Sequence, residues 1–155
     1  NIDIGITYLP IPNHELEFIK VAEIEMGIFG IEKKFKKYEF SELPFIVPIT
    51  PVHGVPHKVK GLDGWPDDRI PRKVQYQVEL METALELCRQ SLGVAYLPKF
   101  VVDLHNRQLK IDYALQTLTA PSNLKPIKQS VFVIKRKSDV EHPVFRKIAA
   151  ALRNI

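Results

Sequence analysis

Apolar and polar positions along this chain follow two periods, one for strands and one for helices. Near the start, IDIGIT (residues 2–7) is an almost unbroken apolar run, which predicts a strand covered on both faces. In EIEMGIF, Ile24, Met26 and Ile28 alternate with Glu23, Glu25 and Gly27, the pattern of a strand with one drier face. FSELPFIVPI predicts a short helical turn followed by a strand from Phe45 to Ile49, interrupted by Pro48 and closed by Pro51. From Thr50 to Pro71 the prolines and glycines are dense enough to predict mostly loop, with scope for one short helix near Val59 to Trp65.

RKVQYQVE alternates again, with Val74, Tyr76 and Val78 on one side. The next stretch, ELMETALELCRQ, changes period. Leu80, Met81, Ala84, Leu85 and Cys88 fall on one helical face and Glu82, Glu86 and Arg89 on the other. Gly93 is placed to take the left-handed conformation that ends many helices, VAYL then reads as a buried strand, and Pro98 opens a further helix, PKFVVDLHN. SVFVIKR predicts a late strand, and HPVFRKIAAALRNI a terminal helix with Val144, Phe145, Ile148, Leu152 and Ile155 along one side. Helix, tight turn and strand in this succession belong to open α/β sheets.

Composition narrows the class. With 155 residues, 45% of them hydrophobic and 26% charged, the chain suits one globular domain or two small lobes, and no apolar run approaches the ~18 residues of a membrane span. One cysteine, Cys88, allows no internal disulfide, and the first residues lack the basic start and small-residue cleavage site of a secretory signal, so a cytoplasmic setting is expected. A chain that opens inside a strand is also expected to have lost upstream residues. The net charge of +4 is spread along the sequence except at KKFKK (residues 33–37), which reads as a solvated turn.

The chain offers little that could carry out chemistry. His53 and His57 stand four apart, but Gly54 and Pro56 preclude the helix that would join them on a metal, and a third ligand is not evident. Cys88 lies on an apolar helix face, where a cysteine is ordinarily a core residue. Asp67 and Asp68 read as turn residues, Trp65 as a loop anchor, and Tyr96 as buried within its strand. Neither a phosphate-cradling glycine motif nor a nucleophile turn is present. No catalytic residues, metal or cofactor are therefore expected, and a binding module is favoured over an enzyme.

ELMETALELCRQSLGVAYLPKFVV resembles the effector-binding domain of LysR-type transcriptional regulators, in which helix, glycine-containing turn, short apolar strand and "LP" recur together. IDIGIT, VAEIEMGIF, SELPFIVPI and VFVIKRKSDVEHPVFRKIAAAL resemble further landmarks of that family in the same order. The family often has Gly-x-Gly before the strand, whereas this chain has Ser91-Leu92-Gly93. The resemblance implies a two-lobed α/β fold of the type 2 periplasmic-binding-protein-like class, with the first lobe incomplete. Residues 1–22 would begin the first lobe, 23–104 would form the crossing strand and second lobe, and 105–155 would return to the first. It also implies a small-molecule effector between the lobes, a homo-oligomer (dimer or tetramer), and control of DNA by a helix-turn-helix domain absent from this sequence.

Ligands of open α/β sheets lie at the carboxyl ends of strands. On that rule the effector-site candidates are Thr7 and Tyr8, then Val47, Pro48, Ile49 and Thr50, then Glu79, Leu80 and Met81. The plainer readings are that Thr7 and Thr50 satisfy local backbone groups, that Glu79 complements the positive end of the helix it precedes, and that Leu80 and Met81 are core. The alternative function is a solute-binding protein, or a fragment of an enzyme that shares the two-lobed fold, such as a dehydratase or a tetrapyrrole-forming deaminase.

Overall fold

The strands and helices sort into two compact units, residues 1–24 with 128–155 and residues 25–127. The computed structural model describes residues 4–7, 13–49, 63–107, 110–124, 128–139 and 143–153.

In the first unit, β1 (Gly5–Thr7) runs antiparallel to β7 (Lys128–Arg136), with Gly5 opposite Ile134 and Thr7 opposite Phe132. The strand order is β1-β7-β2, where β2 (Leu16–Gly30) gives this unit its first half. Val21, Val131 and Val133 from the strands meet Phe145 and Ala149 of α4 (Pro143–Leu152) in the core. Two expectations fail here. The opening strand is not covered on both faces: it stands at the end of the order and leaves Ile6 57% exposed. On α4 the buried stripe runs through 145, 148, 149 and 152, and Val144, about 100° round the helix from Phe145, faces solvent.

β2 begins seven residues before its sequence pattern predicts. Glu17 and Lys20 blur the alternation there, yet each has an ion-pair partner, Lys135 at 2.9 Å and Glu23 at 2.7 Å respectively. Charged residues can thus sit in the strand without an unpaired charge.

The second unit has the strand order β2-β5-β3-β4. Here β3 is Phe45–Pro48, β4 is Val74–Val78 and β5 is Val94–Pro98, while β6 (Gln116–Thr117) pairs with Phe29 and Gly30 of β2. β5 is antiparallel to β2 and parallel to β3, which is parallel to β4. All five residues of β5 are buried, as VAYL predicts, whereas β4 closes the order and its Val74 is exposed. α1 (Glu32–Phe35) falls in the basic stretch read as a solvated turn, and it buries Phe35 while its lysines stay in water.

α2 (Met81–Arg89) and α3 (Lys99–Asn106) pack on the sheet. Ala84, Leu85, Cys88 and Val102 join Phe29, Ile46, Ala95 and Leu97 in the core. Residues 105–107 and 110–124 cluster with this unit. The Asn106 side chain fixes part of that segment, donating to the Leu115 carbonyl at 2.8 Å and accepting from the Leu115 amide at 2.9 Å.

The corner between α2 and β5 departs from its sequence reading. The left-handed residue is Ser91, at φ 60°, and Gly93 does not adopt positive φ. Gly93 is needed for space. A Cβ there would lie 2.5 Å from the carbonyl oxygen of Pro44, which accepts the Val94 amide at 2.9 Å and so sets β5 beside the start of β3.

Candidate functional site

Parallel pairing brings the carboxyl ends of β3 and β4 together. Val47 stands opposite Gln77 and Pro48 opposite Val78, and the Ile49 amide donates to the Val78 carbonyl at 3.0 Å. Only Glu79 and Leu80 separate the end of β4 from the first residue of α2, so residues 47–49 and 78–82 share one edge of the second unit. Val47 is buried and its side chain belongs to the core; Pro48 is half-buried.

The next residues are open. Ile49 is 39% exposed, Leu80 62% and Met81 36%, so Leu80 and Met81 are not the core residues their helical spacing suggests. Leu80 is the N-cap of α2, in extended conformation at φ −111° and ψ 139°, and it lies before the first turn rather than on the buried stripe. Among the described residues no side chain caps the helix, whose first-turn amides stand at the positive end of the helix dipole. Glu79 is exposed beside them and has no ion-pair partner among the described residues. This edge therefore combines apolar surface, uncapped donors and one carboxylate.

Of the remaining candidates, Thr7 ends β1 in the first unit and is half-buried. Tyr8 and Thr50 lie outside the described residues, as do His53, His57 and most of the predicted helix near Val59 to Trp65.

The most elaborate polar arrangement is one the sequence did not announce. Arg72, its side chain 2% exposed, donates from Nη1 to Asp63 Oδ2 at 2.6 Å, from Nε to Asp67 Oδ1 at 2.9 Å and from Nη2 to Asp67 Oδ2 at 2.8 Å. Its guanidinium lies over the Phe45 and Trp65 rings, 5.6 and 5.1 Å from their centroids. Burial works against the Arg72 charge, but the hydrogen bonds and charges of the two aspartates outweigh it and hold its pKa above the ordinary value. Trp65 is fully buried, as its reading as a loop anchor requires, and its indole N–H donates to the Ile70 carbonyl at 2.7 Å. The cluster closes residues 63–72 into a rigid entry to β4. Its sequence signal was three aspartates and two arginines around a tryptophan in a loop, and nothing in that pattern marks Asp63 as buried.

Cys88 is a core residue. Its Sγ lies 3.8 Å from the Phe29 carbonyl oxygen, and burial pushes the thiol up to about 12, far from a thiolate at neutral pH. Burial likewise raises the Tyr96 phenol above its usual range, and the Asp63 charge adds to the effect. Among the described residues no group of three or more His, Cys, Asp or Glu is arranged to hold a metal ion.

The family model described as the LysR substrate binding domain matches residues 1–154. The chain belongs to that family. Solved structures with the same fold include the OxyR2 regulatory domain, C206S mutant, from Vibrio vulnificus, with a TM-score of 0.69 at 15% identity, covering 99% of this chain and 72% of that one. The CrgA regulatory domain from Neisseria meningitidis gives 0.68 at 14% identity, over 99% of this chain and 74% of that one. The CcmR regulatory domain from Synechocystis PCC6803, in complex with 2-PG, gives 0.69 at 11% identity, over 98% and 72%. No curated protein matches the chain significantly. The fold is that of LysR regulatory domains, in the type 2 periplasmic-binding-protein-like class expected from the sequence.

Proposed function

We propose that this chain is the ligand-sensing part of a LysR-type transcriptional regulator, and that it takes a small-molecule effector at the edge formed by Ile49, Glu79, Leu80 and Met81. The observation that carries this reading is the start of α2, where two large apolar side chains stand in water beside uncapped backbone donors. Exposed Leu and Met at a helix start lose the benefit of burial, and a ligand that covers them restores it at roughly 25 cal/mol per Å². The family match over nearly the whole chain and the 2-PG complex of CcmR, a protein of the same fold, support a ligand role.

In this reading the domain performs no chemistry. Effector binding biases one arrangement of a regulator that works as an oligomer in the cytoplasm and contacts DNA through a separate domain. A ligand shifts such an equilibrium only by its preference for one state, with typical couplings of about 1–3 kcal/mol.

The test is calorimetry of the chain and of Leu80→Glu and Met81→Glu variants against a metabolite panel, followed by operator footprinting with the intact regulator. A hit that both variants abolish and that alters the footprint supports the reading. Binding indifferent to both substitutions rejects the site, and binding that leaves the footprint unchanged rejects the switch.

A further inference from the structure

At the opposite end of the second unit's sheet, beside the amino-terminal ends of β3 and β5, a cavity of about 380 Å³ opens between two segments distant in sequence. One wall is the stretch from α1 through the turn Phe40–Glu42, and the other is residues 117–121. This volume lies within the range of small-molecule sites.

The walls are tied to the core and to each other. Phe40 stacks on the buried Trp65 with centroids 5.8 Å apart and planes 18° apart, and meets the buried Phe45 edge-on at 5.6 Å. Tyr38, 45% exposed, is set edge-on against the buried Phe35 at 5.6 Å. Across from them, the Leu118 amide donates to the Ile28 carbonyl at 2.8 Å, and Thr117 pairs with Phe29. The Glu32 amide joins the two segments by donating to the Gln116 side-chain oxygen at 3.0 Å. A hollow built in this way needs little ordering when a ligand enters.

The lining carries more negative than positive charge. Two carboxylates, Glu32 and Glu39, face one ammonium, Lys36, which leaves one net negative charge. Among the described residues neither glutamate has an ion-pair partner, and the hydrogen bond that the Glu39 carboxylate accepts from the Glu42 amide leaves its charge in place. Lys33, Lys34 and Lys37 are exposed and stand outside the lining, where water and salt screen them. The rings of Tyr38 and Phe40 act in the same direction as the carboxylates, because an aromatic face attracts a cation.

We infer that this cavity is a second small-molecule site, taking a small organic ammonium with an apolar body. Its N–H groups donate to the Glu32 and Glu39 carboxylates, its charge lies against the rings of Tyr38 and Phe40, and its apolar body covers Leu43 and Leu118. Lys36 is the opposing charge in the lining and lowers the affinity for such a ligand.

The test is a titration of the 15N-labelled chain with benzylamine, which is protonated at neutral pH, followed by amide resonances. Benzyl alcohol is the neutral probe of the same shape, and benzoate the probe of opposite charge. Benzylamine is expected to give saturable shifts at Glu32, Tyr38 and Thr119, benzyl alcohol to bind there at least about fivefold more weakly, and benzoate to give no shifts there. Glu32→Gln and Glu39→Gln should each weaken benzylamine about threefold, while Lys36→Gln should tighten it about twofold. The glutamine at 39 keeps an oxygen for the Glu42 amide, so the turn stays formed, and Glu32→Gln and Lys36→Gln are substitutions at exposed positions. Absence of saturable shifts at these residues, benzyl alcohol or benzoate binding as well as benzylamine, or benzylamine affinity unchanged in both glutamate variants would overturn the inference. Shifts confined to Ile49, Leu80 and Met81 would overturn it while supporting the site at the other edge, so the two readings fail separately.

Discussion

Gly93 faces the carbonyl oxygen of Pro44 so closely that an added Cβ would stand 2.5 Å from it. Backbone rather than a flexible side chain occupies that space, and the same oxygen binds the Val94 amide. Gly93→Ala must therefore push β5 away from β3 or break this hydrogen bond. The expected loss is about 1–3 kcal/mol, the usual range for overpacking, read from urea denaturation midpoints. A variant as stable as the parent would show that the corner is not this tight.

Ser91 carries the left-handed backbone two residues earlier. A residue with a side chain pays about 1 kcal/mol or more for that conformation, and glycine does not. Ser91→Gly is expected to stabilise the chain by a few tenths to about 1 kcal/mol, because greater freedom of the unfolded glycine offsets part of the gain. Thermal unfolding should show a raised midpoint.

Asp63 and Asp67 both bind Arg72, but only Asp63 is buried with it. Removing a partner from a buried pair strands the other charge at a cost of about 3–5 kcal/mol, whereas half-exposed pairs contribute far less. Asp63→Ala should thus destabilise much more than Asp67→Ala. Equal losses measured by chemical denaturation would contradict the burial of this pair.

The Cys88 thiol predicts a particular alkaline behaviour. Burial raises its folded pKa from an ordinary value of 9.0 to about 12, so the folded chain keeps its proton where the unfolded chain has lost it. The contribution is fully present below the unfolded value and lost as pH rises through the window from 9 to about 12. Between about pH 8 and about pH 10, the parent should lose more stability than Cys88→Ala, the difference isolating the thiol from other titrating groups. A thiol reagent at neutral pH should label Cys88 only after unfolding.

Burial through period was legible in the sequence where each element had a simple environment. VAYL reads as a covered strand and is one; Ala84, Leu85 and Cys88 form the buried stripe that their spacing indicates. Reading failed where a neighbour decides the outcome. The first half of β2 was hidden because Glu17 is neutralised by Lys135, more than a hundred residues away. Leu80 and Met81 fit the helical stripe, yet the extended backbone at Leu80 puts them at the helix mouth. Glycine chemistry named the right corner and the wrong reason, since the close approach of Pro44 is a tertiary fact. Of the effector-site candidates, the structure brings residues 47–49 and 79–81 to one edge because β3 and β4 are parallel neighbours, a pairing that periodicity alone does not specify.

Trp65 is the sole tryptophan of the chain, and it sits within the Arg72 clamp with Phe40, Phe45 and Tyr96 around it. Intrinsic fluorescence excited at the indole band therefore comes from a single address in the second unit. The molecule carries its own optical probe. Because Phe40, Phe45 and Tyr96 surround that indole, a change in how the turn at 40–42, β3 and β5 hold these rings has a route to emission intensity without any attached dye.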